Sequence, residues 1–314
     1  MATYLVTGGA GFIGSHMVDE LLRRGHRVRV VDSLVTGKRA NMASFADRIE
    51  FIEGDLADLA VARRAVEGME FVLHQAAIPS VPRSVAEPAL CHRANVDGTL
   101  NVLLASRDAG IRRLIFAGSS SVYGNSATLP KREDMPAKPL SPYALHKLVG
   151  EQYAQLFTSL YGLETVTTRY FNVFGPRQDP TSPYSGVISL FIRALVEQRA
   201  PTIYGDGEQT RDFTYVANVV DGVLKACDAP GASGRVFNVA TGGRITLNHL
   251  YHTLQALTGQ AIAPAYAPTR VGDVHDSQAD ISAARDVLGF APIVSFEDGL
   301  AATLAWSRQD AGRT

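Results

Sequence analysis

The sequence predicts an α/β protein, a doubly wound parallel sheet joined to a smaller C-terminal substrate-binding lobe. Three observations predict it. Short apolar runs alternate with longer amphipathic stretches through the first half, a glycine-rich turn follows the first run, and proline and turn residues cluster just after Asn172.

Residues 4–7, 27–31, 50–52, 71–74 and 114–117 read as buried parallel strands. Between them, residues 13–24, 59–67 and 94–109 carry the wider apolar spacing of helices. The rhythm continues with a helix over 143–161 and a strand over 164–170. Strand and helix alternating in this way predict a sheet with helices on both faces. Gly175-Pro176-Arg177-Gln178-Asp179-Pro180 and Thr181-Ser182-Pro183-Tyr184 then break the pattern. Beyond them, helices over 187–197, 218–228, 247–257 and 281–288 interleave with short strands. The boundary falls near residue 172, with 1–172 as one domain and 173–314 as the lobe, some of whose chain crosses back.

Composition narrows the classes of function. A chain of 314 residues suits one domain with an added lobe. Hydrophobic residues at 46% and charged residues at 19% are the proportions of a globular enzyme. A net charge of -1, with both signs interspersed, argues against nucleic-acid binding through a broad basic face. Cys91 and Cys227 have no paired-ligand spacing, so neither a disulfide framework nor a thiolate metal site is indicated. His249 and His252 have no third ligand in view. No apolar run is long enough to span a bilayer, and Met1-Ala2-Thr3 leads straight into the first strand, leaving no room for a signal peptide. The expectation is a cytoplasmic protein without metal, nucleic-acid or membrane partners.

The turn after the first strand reads Gly8-Gly9-Ala10-Gly11-Phe12-Ile13-Gly14 and runs into a helix. Glycine there permits a tight turn, close backbone approach to a phosphate, and helix packing on the strand. The helix N-terminus adds unpaired N–H groups and a positive dipole end. Asp32 ends the second strand, where a carboxylate accepts hydrogen bonds from a ribose diol and repels a 2′-phosphate. NAD is therefore expected over NADP, although Lys38 and Arg39 downstream weaken that preference. Asp55 and Leu56 follow the third strand, where an adenine edge would lie.

Tyr143-Ala144-Leu145-His146-Lys147 places a phenol and an ammonium one helical turn apart, on one face. A nearby cation favours the phenolate, which suits Tyr143 to act as base toward a hydroxyl and later as acid. That spacing alone is common on helix surfaces. The serine turn Gly118-Ser119-Ser120-Ser121-Val122-Tyr123-Gly124 strengthens it, because it follows a strand at the sheet edge where doubly wound folds bind ligands. Ser119 can bond the same substrate oxygen and shuttle its proton.

These segments, with Gly54-Asp55-Leu56, His74-Gln75-Ala76-Ala77 and Asn95-Val96-Asp97-Gly98-Thr99, resemble the extended short-chain dehydrogenase/reductase family over nearly the whole chain. The resemblance implies a Rossmann sheet and NAD as cofactor. It places the cofactor contacts on Gly8, Gly11, Phe12, Ile13, Gly14, Asp32, Ser33, Gly37, Asp55, Leu56, Gln75, Ala76, Ala77, Asn95, Tyr143, Lys147, Tyr170 and Val173. Arg169-Tyr170-Phe171-Asn172-Val173-Phe174-Gly175-Pro176 resembles the segment that in nucleotide-sugar epimerases meets nicotinamide and sugar. Tyr204-Gly205-Asp206-Gly207-Glu208-Gln209-Thr210-Arg211-Asp212-Phe213 resembles their base- and diphosphate-binding stretch, and Arg270-Val271-Gly272-Asp273 their arginine–ribose element. Arginines such as Arg211 and Arg270 suit a diphosphate through charge-assisted, two-pronged bonds.

Within that family the chain looks most like the UDP-hexose 4-epimerases, so a UDP-sugar is the implied substrate. The implied substrate contacts are Ser80, Ser119, Ser120, Ser121, Tyr143, Asn172, Val187, Thr202, Tyr204, Arg211, Arg270, Asp273 and Ser277. Ala77-Ile78-Pro79-Ser80-Val81-Pro82-Arg83-Ser84 resembles the sugar-side loop. Ser277 stands at the gatekeeper position of the hexose pocket, and a small residue there implies room for an N-acetylated sugar. The implied reaction inverts C-4 of UDP-glucose or UDP-galactose through a 4-keto intermediate, with Tyr143, Lys147 and Ser119 as the catalytic set. Related dehydratases carry an Asp-Glu pair where Ser120 and Ser121 stand, and related decarboxylases a glutamate at the Ser121 position. UDP-glucuronate 4-epimerisation stays open, with Arg83 and Arg177 as candidate partners for its carboxylate. A non-catalytic NAD-binding protein is the reading from another class.

Apolar residues on more than one face of helices 94–109 and 143–161 (Leu100, Val102, Leu103 and Leu104; Leu148, Val149, Tyr153 and Leu156) suggest a homodimer through a four-helix interface.

Overall fold

The structure, a computed structural model, describes residues 1–179, 186–269 and 275–311. Its strands are β1 (Thr3–Thr7), β2 (Arg27–Asp32), β3 (Glu50–Glu53), β4 (Phe71–His74), β5 (Arg113–Ser119), β6 (Glu164–Tyr170), β7 (Val173–Phe174), β8 (Thr202–Tyr204), β9 (Thr210–Arg211), β10 (Thr214–Tyr215), β11 (Arg235–Val239), β12 (Ile245–Thr246) and β13 (Ala265–Ala267). Its helices are α1 (Phe12–Arg23), α2 (Leu59–Val66), α3 (Val81–Ala86), α4 (Pro88–His92), α5 (Gly98–Asp108), α6 (Pro142–Tyr161), α7 (Val187–Val196), α8 (Val216–Asp228), α9 (Leu247–Thr258) and α10 (Phe296–Ala311). Among the described residues no helix is long and apolar enough to cross a membrane.

Seven strands form one parallel sheet in the order β11-β6-β5-β4-β1-β2-β3. This is the doubly wound α/β fold that the alternating pattern predicts. Successive side chains leave a strand on opposite faces, so β1 sends Tyr4 and Val6 to one core and Leu5 to the other. The first core packs Met17, Val18 and Leu21 of α1 with Val219 and Val223 of α8. The second packs Val66 of α2, Val102 and Leu103 of α5, and Ala154 and Phe157 of α6. Each fully buried side chain of this size contributes about 1.5–3 kcal/mol relative to exposure. A third core, with Phe191, Leu195, Leu250, Leu254, Leu300 and Leu304, belongs to the smaller lobe of α7, α9 and α10.

The helix that matters most to the site is α6. Ser141 caps its start by accepting from Ala144 N at 3.2 Å, Pro142 occupies its first turn, and Gly162 ends it in a left-handed conformation at φ 73°.

Several details differ from the sequence expectation. The helix expected over 94–109 opens with a π-helical turn, Arg93–Asp97, and that over 281–288 contains another, Ala284–Leu288. β11 lies in the second half of the chain and pairs with β6, and α8 packs against α1. Val102 and Leu103, expected among the residues facing a second copy, are instead fully buried in the protein's own core. On α6, Leu145, Leu156 and Leu160 are the exposed leucines.

Candidate active site

The glycine turn is held where the sequence places it. Gly8 N donates to Val31 O at 2.8 Å and Gly11 N to Gly8 O at 3.0 Å. Gly8 is left-handed at φ +69°, and a Cβ there would lie 2.8 Å from the backbone of Ala76; a Cβ on Gly14 would collide with the carbonyl of Gly8. Gly11 caps α1 without a side-chain hydrogen bond to the N–H groups of its first turn.

Asp32 ends β2, 8% exposed, and its carboxylate accepts from Ala10 N at 3.0 Å and Leu34 N at 2.8 Å. Burial pushes its pKa up, and those two amides act the other way. A Cβ on Gly37 would lie 2.7 Å from the same carboxylate, so the loop passes close over it. Ser33 is exposed beside it. Asp55, also exposed, accepts from Ala57 N at 2.9 Å and faces Arg93 at 3.5 Å, while Leu56 is buried in the second core.

A buried network sets the next loop. Thr7 Oγ1 accepts from Gln75 N and Ala76 N, both at 3.1 Å, so its own hydrogen goes to His74 Nδ1 at 2.8 Å. Thr99 Oγ1 donates to Asn95 O at 2.7 Å and therefore accepts from His74 Nε2 at 3.0 Å. The ring is thus neutral and fixed in one tautomer, and burial and the charge of Lys147 push its pKa down to about 3. Asn95, expected at the cofactor, spends its amide on Ile78, accepting from N at 2.7 Å and donating to O at 3.2 Å. It holds the loop that carries Ala77 and Ser80. Ser80 in turn caps α3 by accepting from Arg83 N at 3.1 Å. Gln75 accepts from the Tyr170 hydroxyl at 3.1 Å, which leaves its buried Nε2 without a partner. An orphaned amide donor beside a glycine cradle and an uncapped helix N-terminus fits a dinucleotide diphosphate and nicotinamide.

At the C-terminal end of β5, Ser119 comes near enough to Tyr143 for its hydroxyl to act on the phenol. Ser119 Oγ also meets Ser121 Oγ at 2.8 Å and accepts from Ser121 N at 3.2 Å, capping the short 3-10 turn Ser120–Tyr123. Tyr143 N donates to the buried Ser84 hydroxyl at 3.0 Å, a support that carried no recognisable signal in the sequence. Lys147 is 6% exposed; its ammonium donates to Ala117 O at 2.8 Å and lies over the Phe116 ring. Burial brings its pKa down to about 8. Burial holds the phenol of Tyr143 above its ordinary value, and the nearby Ser119 hydroxyl acts the other way. The Lys147 ammonium is turned to the backbone of β5.

The remaining residues divide between the two lobes. Asn172 is left-handed at φ 35° and donates to Asp212 O at 3.1 Å, tying the end of β6 to the stretch that carries Arg211. The Arg211 guanidinium donates to Thr210 O at 2.9 Å and His275 O at 3.0 Å, and Ser277 N donates to that same Thr210 carbonyl at 3.1 Å. Arg211 and Ser277 therefore meet at Thr210. Thr202 and Tyr204 lie on β8 beside β13, Val187 opens α7 and Val173 opens β7. Arg270 and Asp273 lie outside the described residues. Arg83 pairs with Glu87 at 3.1 Å, and Arg177 pairs with Asp19.

The arrangement is thus a glycine-rich cradle beside a helix turn that carries Tyr143 and Lys147. Residues 4–240 match the model of the NAD dependent epimerase/dehydratase family. This chain belongs to that family. Its cofactor is NAD. The chain is 40% identical to the UDP-glucose 4-epimerase of Mycolicibacterium smegmatis over 97% of its length and 98% of that protein's. It superposes at a TM-score of 0.94 on the UDP-N-acetylglucosamine 4-epimerase of Methanobrevibacter ruminantium in complex with UDP-N-acetylmuramic acid, 39% identical, covering 98% and 99% of the two chains. The Thermus thermophilus UDP-glucose 4-epimerase in complex with NAD gives 0.88 at 36% identity, with the same coverage.

Proposed function

We propose that this chain inverts the 4-hydroxyl of UDP-hexoses, interconverting UDP-glucose and UDP-galactose and accepting their N-acetylated forms. The observation that carries the reading is that Tyr143, in the first turn of α6, and Ser119, at the end of β5, come together at the sheet edge where the Tyr170 hydroxyl meets Gln75. In this reading residues 1–172 hold the dinucleotide and residues 173–314 the uridine diphosphate, with Arg211 on the phosphates.

The glycine turn, Asp32 and Gln75 would hold NAD, which when bound supplies reversible hydride acceptance at the sugar carbon. Tyr143 takes the proton of the 4-hydroxyl on its phenol oxygen, and the nearby Ser119 hydroxyl stabilises the phenolate. Lys147 adds positive charge to the same pocket. After the 4-keto sugar has turned its other face, Tyr143 returns the proton and the configuration is inverted. The small side chain of Ser277, beside Arg211 at Thr210, leaves space for a 2-acetamido group.

An assay of UDP-glucose, UDP-N-acetylglucosamine and UDP-glucuronate, with products identified by NMR, tests the reading. The first two are expected to turn over. UDP-glucuronate is not, because Arg83 and Arg177 are already engaged by Glu87 and Asp19. Failure with the N-acetylated sugar alone removes that part of the proposal; failure with all three removes the whole.

The exposed Leu145, Leu156 and Leu160 of α6, at 48%, 49% and 67%, support a homodimer packed through α5 and α6. A monomer mass in light scattering would rule it out.

A further inference from the structure

Arg169 stands near the end of β6, in register with Gly118, one residue before Tyr170, which pairs with Ser119. Its guanidinium forms a two-pronged ion pair with Glu151 of α6: Nε to Oε2 at 2.9 Å and Nη2 to Oε1 at 2.6 Å. The two side chains are 4% and 5% exposed. Glu151 follows Tyr143 and Lys147 at successive i+4 positions, so all three occupy one stripe of the helix. The guanidinium also lies over the ring of Tyr123, 4.7 Å from its centroid. Tyr123 closes the turn that Ser119 caps, and its hydroxyl donates to Asn238 of β11 at 2.7 Å. One buried cation thus touches both the helix that carries Tyr143 and the turn that carries Ser119.

Burying two charges is a poor way to gain stability, because the desolvation cost offsets much of the attraction. A planar fork against a carboxylate does fix orientation, which a flexible point charge does not. We infer that Arg169 and Glu151 are positioning residues that set the approach of Tyr143 to Ser119 by fixing α6 against the Ser120–Tyr123 turn. The inference rests on the roles proposed above for Tyr143 and Ser119.

Two variants test it: Arg169→Lys, which keeps the charge but loses the fork, and the double change Glu151→Leu with Arg169→Met, which leaves no unpaired buried charge. In each folded variant NAD binding is retained and KM for UDP-glucose stays within about twofold, while kcat falls on the order of 10- to 100-fold from misplacement alone. The pH at half-maximal kcat also moves up, because a displaced Ser119 hydroxyl lowers the phenol's pKa less. A purely structural pair would lower the melting temperature and leave both kcat and the pH profile of the folded enzyme unchanged. Either folded variant with the parent's kcat and pH profile overturns the inference. Absence of UDP-hexose turnover by the parent protein overturns the underlying reading instead, so the two failures are distinguishable.

Discussion

Tyr143 and Ser119 come together at the site, although one sits in the first turn of α6 and the other ends β5. The Ser119 hydroxyl opposes the burial that raises the phenol's pKa, while Lys147, one turn further along, donates to Ala117 O.

Replacing the phenol tests the chemistry with little change of shape. Tyr143→Phe should bind NAD as the parent does and lose on the order of 10²- to 10⁴-fold in kcat, the usual contribution of a positioned acid–base group. Turnover of UDP-glucose alongside a cofactor titration checks both halves; a variant with high activity contradicts the role.

The buried imidazole of His74 predicts acid lability. Its pKa falls from an ordinary 6.5 to about 3 in the folded protein, so the unfolded chain binds the proton more readily. Its contribution is fully present above about 6.5 and is lost progressively as pH drops toward 3. Each pH unit in that window costs up to about 1.4 kcal/mol. Thermal melting across the window, for the parent and His74→Gln, should show a shallower pH slope in the variant. Equal slopes would mean that His74 is not the group responsible.

The cradle predicts a steric effect at Gly8. Alanine there places a methyl 2.8 Å from the backbone of Ala76, and a left-handed backbone alone costs about 1–2 kcal/mol. Gly8→Ala should melt earlier and bind NAD at least about tenfold more weakly. A parent-like calorimetric titration would show that the loop has room to spare.

Selectivity should follow the size of residue 277. Ser277→Tyr is expected to reduce kcat/KM for UDP-N-acetylglucosamine relative to UDP-glucose by at least about tenfold, the scale on which pocket volume discriminates. An unchanged ratio would place the acetamido group elsewhere.

Much of this protein is legible in local patterns. The glycine spacing of 8–14, Asp32 at the end of a strand, and Tyr143 and Lys147 one turn apart each depend on neighbours a few residues away, where backbone geometry is fixed by periodicity and glycine. Strand and helix alternation likewise placed six of the sheet's seven strands to within a few residues. β11 gave no such signal. Its Arg235-Val236-Phe237-Asn238-Val239 is short and mixed, and only pairing with β6 makes it a strand.

The sequence by itself determined six strands of the sheet and the glycine cradle, because those follow from short-range repeats. Tertiary structure alone decided what each group touches. Lys147 reaches Ala117, Asn95 clamps Ile78, and Arg169 pairs with Glu151, each with a partner well outside its own turn of chain. Such partners are chosen when the elements pack, since burial forces each polar group to take whatever partner the core brings within reach.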